Sequence, residues 1–130
     1  MSKPYDARLS VYLVEDSPIL RDHLTECVTE NDFGRVVGYA DNEDDAVEEI
    51  LRKRPDVVLL DIQLRVGNGL NVLRKLQALL EESLPAIVVF TDFAITDFGR
   101  YATTHGAKYF LDKASGLKYL RSLLRTFDVY

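Results

Sequence analysis

The chain has 130 residues, with 16 basic against 21 acidic side chains for a formal charge of −5, and 47% of it is hydrophobic. That length suits one domain with one core; the acidic balance is a poor electrostatic match to a nucleic-acid backbone, and no apolar run approaches the roughly 18 residues of a membrane helix. The N-terminal MSKPYDARLS lacks the apolar stretch of a secretory signal and the single Cys27 cannot form an internal disulfide, so a cytoplasmic location is expected.

The first strand is SVYLVE (10–15), by its run of apolar and β-branched residues. Ser17 and Pro18 then read as a cap and first helical residue, followed by an apolar face of Leu20, Leu24, Cys27 and Val28 on which Cys27 is a small buried hydrophobe. RVVGYA (35–40) is the second strand. Asn42 caps a second helix with Ala46, Val47, Ile50 and Leu51 on one face and Pro55 as its stop. Its acidic start, Glu43 to Asp45, and basic end, Arg52 to Arg54, match the helix dipole and are expected to be solvated ends rather than binding sites.

DVVLLD (56–61) is the third strand, and a third helix from about Gly69 carries Leu70, Leu73, Leu76 and Leu80. AIVVFT (86–91) is the fourth strand, before a helix from about Thr96 to a stop at Gly106. KYFLD (108–112) and a helix holding Leu117, Leu120, Leu124 and Phe127 complete the chain. His23 and His105 are expected on solvated helix surfaces, placed neither to ligate metal nor to act as bases.

Strand and helix alternate five times, which predicts a doubly wound α/β domain. Three of the strands are continuous apolar runs, as parallel strands covered on both faces are. Right-handed crossovers bring the carboxyl ends of such strands to one edge, where ligands bind. Glu15 and Asp16 end the first strand, Asp61 the third and Thr91 the fourth, and Lys113 follows the fifth. Each alone reads as a turn former or cap. Together they form a crevice with three carboxylates against one ammonium, and two unit charges about 4 Å apart repel by roughly 4 kcal/mol at an effective dielectric of 20. A cation is therefore expected, and oxygen ligands without His or Cys select a hard ion such as Mg²⁺. Such a crevice suits phosphoryl transfer, with Asp61 as nucleophile, Lys113 neutralising charge and Thr91 donating a hydrogen bond.

VYLVEDSP, VVLLD, VVFT and KYFLDK resemble the four site-bearing strands of receiver domains of two-component response regulators, and Gly69 lies where that family's loop after the third strand closes. The resemblance covers essentially the whole chain. It implies a (βα)5 flavodoxin-like fold with strand order 2-1-3-4-5, one receiver domain over 1–130 and no output domain. Asp61 is then the phosphoacceptor for a histidine kinase or phosphotransfer protein. Glu15, Asp16, Asp61 and the Gln63 backbone carbonyl would hold Mg²⁺, and Thr91 and Phe110 would be the switch residues. Output to a protein target is expected through the fourth helix, fifth strand and fifth helix, a region rich in aromatic residues (Phe93, Phe98, Tyr101, Tyr109 and Tyr119), with homodimerisation left open. No enzymatic turnover is expected beyond self-phosphorylation and slow autodephosphorylation.

Three positions depart from the family pattern. Ala114 follows Lys113 where many relatives have proline, Arg65 replaces a common proline, and Asp92 stands where a small residue is usual. Two other readings compete. A Mg²⁺-dependent aspartyl phosphohydrolase would need an acid two residues after the nucleophile, where Gln63 stands; a receiver-like interaction module that never takes phosphate has only Asp92 and the loop changes in its favour. Alternation along the fifth strand sends Tyr109 and Phe110 to opposite faces without saying which is inward.

Overall fold

The apolar runs become the strands of one parallel sheet. In the computed structural model, which describes residues 8–92, 100–102 and 104–127, they are β1 (Leu9–Val14), β2 (Gly34–Ala40), β3 (Val57–Asp61), β4 (Ala86–Thr91) and β5 (Tyr109–Asp112). Their order among the described residues is β2-β1-β3-β4-β5 with every pairing parallel. Strand order reverses beside β1, so the crevice between the carboxyl ends of β1 and β3 is the switch point of the fold.

Three helices start where their caps predict. In α1 (Pro18–Thr29) the Ser17 hydroxyl accepts from the Leu20 N–H at 3.3 Å, and in α2 (Glu43–Lys53) Asn42 Oδ1 accepts from the Asp45 N–H at 2.9 Å. Asn68 does the same for Leu70 at the start of α3 (Gly69–Leu80). Residues 100–102 and 104 are helical and form the described part of α4; Thr96, Phe93 and Phe98 lie outside the described residues. The expected single helix after β5 is instead three short pieces, Lys113–Gly116, a 3₁₀ turn Leu117–Tyr119 and Leu120–Leu124, together named α5.

The strands separate two apolar layers. On one face Val14, Leu60 and Val89 pack with Ile50, Leu73 and Leu76 of α2 and α3; on the other Leu13, Leu59 and Phe90 pack with Leu24, Val28, Leu120 and Leu124 of α1 and α5. All residues of β1 and β3 are buried, which accounts for their unbroken apolar runs. Cys27 is buried in the second layer and burial raises its thiol pKa. Phe110 packs on the α2–α3 side while Tyr109 packs on the other, edge-to-face with Phe127 at 6.1 Å, and both are half-buried.

Two expectations about surface polar groups fail. Glu43 and Lys53 are not simply solvated helix ends. The β1–β2 register slips between Val11 and Tyr12, passing over Val37, and Lys53 reaches back to donate to the Val37 carbonyl at 2.8 Å. Glu43 is drawn into a polar cluster described below. His105 is half-buried, its Nδ1 2.9 Å from the Tyr101 carbonyl and its ring stacked on Tyr101 at 4.0 Å, whereas His23 is exposed as expected.

Candidate phosphoryl-transfer site

Asp61, the last residue of β3, is 1% exposed, and Glu15, just past β1, is equally buried. Each carboxylate is delivered by its own dry strand, so neither can hydrate freely. Lys113, the residue after β5, donates from Nζ to Asp61 Oδ2 at 2.9 Å and lies 3.4 Å from Glu15 Oε1. The Gln63 N–H donates to Asp61 Oδ1 at 2.9 Å, and the Ser17 N–H to Glu15 Oε2 at 3.0 Å. Thr91 is fully buried at the end of β4, one residue past Phe90, the register partner of Asp61.

One lysine does not neutralise this crevice. Burial, then the negative charge of Asp61, pushes the Glu15 carboxyl up to about 7. Burial likewise raises Asp61, against the bonds from Lys113 and Gln63. For Lys113 burial opposes the charge, but Asp61 and Glu15 outweigh it and its pKa rises; Asp92, exposed one residue past β4, adds to the same field.

Oxygens of Glu15, Asp16 and Asp61 lie within 4.8 Å of one another, and among the described residues Glu15 Oε1 is buried with no hydrogen bond, its ion pair to Lys113 being 3.4 Å long. Clustered hard oxygen donors, an under-neutralised charge and a buried carboxylate oxygen with no hydrogen bond fit a small divalent cation. The Gln63 residue is exposed, and its N–H is committed to Asp61. The structure therefore brings Glu15, Asp16, Asp61 and Lys113 together; Phe110 stands on the α2–α3 face of β5, paired in register with Val89.

The loop from β3 to α3 is fixed more tightly than its sequence suggests. The Gly69 N–H donates to the Ile62 carbonyl at 2.8 Å, and a Cβ at Gly69 would strike the Asp61 carbonyl oxygen and stand 2.6 Å from Ile62 Cα. Gly67, at φ +89°, lies against Glu43 Cβ. Glu43 accepts from the Asn68 N–H at 3.0 Å and from Lys75 Nζ at 2.6 Å, which ties α2 to the loop and to α3. Asp16 is bound to the same loop: its Oδ2 accepts from the Arg65 N–H at 2.7 Å and lies 3.9 Å from Arg65 Nε. The side chains of Arg65 and Asp16 help line a cleft of about 210 Å³ with Asp41, Asn42 and Val66. The roles of Glu43 and Arg65 escaped the sequence reading, because neither spacing nor periodicity marks a contact between loops far apart in the chain.

These features define an α/β domain with an acidic, lysine-paired crevice at its switch point. A family model for the response regulator receiver domain matches residues 11–125, and the chain belongs to that family. Similar curated proteins include the sensory transduction protein LytT of Bacillus cereus, 38% identical over 88 residues, and a protein-glutamate methylesterase/protein-glutamine glutaminase of Bacillus licheniformis, 34% identical over 112. These matches cover 65% and 83% of this chain but only 34% and 30% of the relatives' lengths. Among solved structures, the receiver domain of a NarL response regulator from Mycobacterium tuberculosis superposes with a TM-score of 0.82 at 24% identity, covering 92% of this chain and 94% of its own. The BeF3-activated receiver domain of Klebsiella pneumoniae RstA gives 0.78 at 27% identity, covering 90% and 96%.

Proposed function

We propose that the chain is a phosphorylation-controlled switch in which Asp61 accepts a phosphoryl group from a histidine kinase or phosphotransfer protein. The observation that carries this reading is a buried carboxylate at the mouth of a dry strand, 2.9 Å from a lysine and beside two further acids. An Asp61 oxygen attacks the phosphorus of a phosphohistidine, the P–N bond breaks, and its electron pair stays on the nitrogen of the departing imidazole. Lys113, already on Asp61 Oδ2, follows the charge onto the phosphoryl oxygens. Thr91, buried on the adjacent strand, supplies a hydroxyl to one of them. Glu15, Asp16 and Asp61, with the Gln63 carbonyl, would hold Mg²⁺. When bound, that ion neutralises charge on the transferring group.

Reorganisation of Thr91 and Phe110 then favours one arrangement of the α4–β5–α5 face, through which a protein partner reads the signal. Tyr119, 59% exposed, and half-buried Tyr101 offer aromatic area there. The chain acts in the cytoplasm and turns over no substrate beyond its own acyl phosphate. Among the described residues no helix is long and apolar enough to cross a membrane.

The test is intact mass after incubation with Mg²⁺ and acetyl phosphate, beside an Asp61→Asn control and with phosphorylated histidine kinases as alternative donors. A Mg²⁺-dependent gain of one phosphoryl group in the wild type alone is expected. No gain from any donor would overturn the reading. Asp92, exposed and felt by Lys113, places negative charge near the entrance. Asp92→Ala is therefore expected to label faster with acetyl phosphate than wild type, and equal rates would exclude that effect.

A further inference from the structure

We infer that Arg65 is an internal cation that competes with the metal for Asp16 and sets the Mg²⁺ affinity of the site; this rests on the receiver reading above. Where proline is common in the family, this chain has a residue with a backbone N–H and a guanidinium, and the structure aims both at one oxygen. The N–H donates to Asp16 Oδ2 at 2.7 Å, and Nε stands 3.9 Å from the same atom. The N–H bond joins the loop after β3 to the loop after β1 and orients the carboxylate. The guanidinium adds positive charge beside it.

The two ends of this contact differ in exposure. Asp16 is 19% exposed and held by the N–H bond, whereas the Arg65 side chain is 81% exposed and reaches the carboxylate from solvent. An exposed arginine can swing away at little cost, since such pairs are weak. Lys113, by contrast, is 15% exposed and donates to Asp61. Arg65 is thus the displaceable cation of the site and Lys113 the fixed one. Metal entering beside Asp16 meets repulsion from the guanidinium.

Arg65 also lines the cleft formed with Asp16, Asp41, Asn42 and Val66. Arg65 is a positioning residue, acting through Asp16 rather than on the reacting atoms.

The measurement is Mg²⁺ binding to unphosphorylated protein, by isothermal titration calorimetry and by amide chemical shifts, for wild type, Arg65→Gln and Arg65→Lys. Arg65→Gln keeps the N–H and removes the charge, and Coulomb repulsion between exposed charges a few ångströms apart predicts about three- to tenfold tighter binding. Arg65→Lys keeps the charge and is expected near wild type. Rising ionic strength should narrow the gap between Gln and wild type. Equal or weaker binding by Arg65→Gln, or a lysine variant as tight as the glutamine variant, overturns the competition while leaving the receiver reading in place. No Mg²⁺ binding in any variant would instead take down that reading and this one with it.

Discussion

Two carboxylate–lysine clusters stand about one loop apart in this molecule, and they are built on opposite principles. Glu43 meets Lys75 at 2.6 Å and also accepts from the Asn68 N–H and, at 3.4 Å, from Asn71 Nδ2. The Lys75 bond, chief among these, holds its carboxyl below the ordinary 4.5. Asp61 and Glu15 share a single lysine between them, and burial drives both upward. A carboxylate with more donors than it needs fastens two helices. Carboxylates buried with one lysine between them keep an excess of negative charge, and only the folded scaffold holds them together.

The loop between β3 and α3 touches both clusters, so the largest expected effect is on that loop. Gly69→Ala forces a methyl against the Asp61 carbonyl oxygen and the Ile62 backbone, and should cost about 3 kcal/mol in urea unfolding. A loss below 1 kcal/mol would mean the loop yields easily and does not link the two sites. Next, Mg²⁺ at a hundred times its Kd should add about 2.7 kcal/mol to the stability of wild type and Glu43→Gln alike. The gain should shrink strongly in Asp61→Asn; an equal gain there would place the metal elsewhere.

Proton linkage separates the clusters by sign. The folded protein holds the Glu15 proton up to about 7 while the unfolded chain releases it near 4.5, so stability falls as pH rises through that window and stays low above it. In EDTA, Glu15→Gln should reduce the fall and stabilise the protein at pH 8 by about 2 kcal/mol. A variant less stable than wild type at pH 8 would show that the buried acid is well accommodated after all. Glu43 runs the other way. Its lowered pKa gives stability that is present above 4.5 and lost as pH falls through the folded value. Glu43→Gln should therefore cost about 1 kcal/mol at pH 7, and progressively less as pH falls below 4.5, by thermal unfolding. A cost that does not change with pH would point to packing on Gly67 rather than to charge.

Much of this could be read from the residues in order. Continuous apolar runs such as Val57–Leu60 can lie only between two covering layers, and Ser17–Pro18 and Asn42 carry their capping chemistry in their side chains. The crevice was legible because strand direction alone gathers Glu15, Asp16, Asp61 and Lys113 at one edge. What could not be read depends on geometry that no period encodes. The attachment of Lys53 to the Val37 carbonyl follows from a one-residue slip in register. The hold of Arg65 on Asp16 and of Glu43 on the Asn68 N–H follows from how a loop folds over strand ends. The break of α5 into three pieces has no mark in the leucine spacing, which suits an unbroken helix.

The two margins of the sheet are unequal. β2 has seven residues, with Lys53 bonded to its Val37 carbonyl, whereas β5 has four, all of them half-buried. Local opening costs least where few apolar groups are covered, so amide hydrogens of β5 should exchange with deuterium through sub-global openings, ahead of those in β1 and β3. That shorter margin ends at Lys113, so a phosphoryl group that captured this lysine would act directly on it.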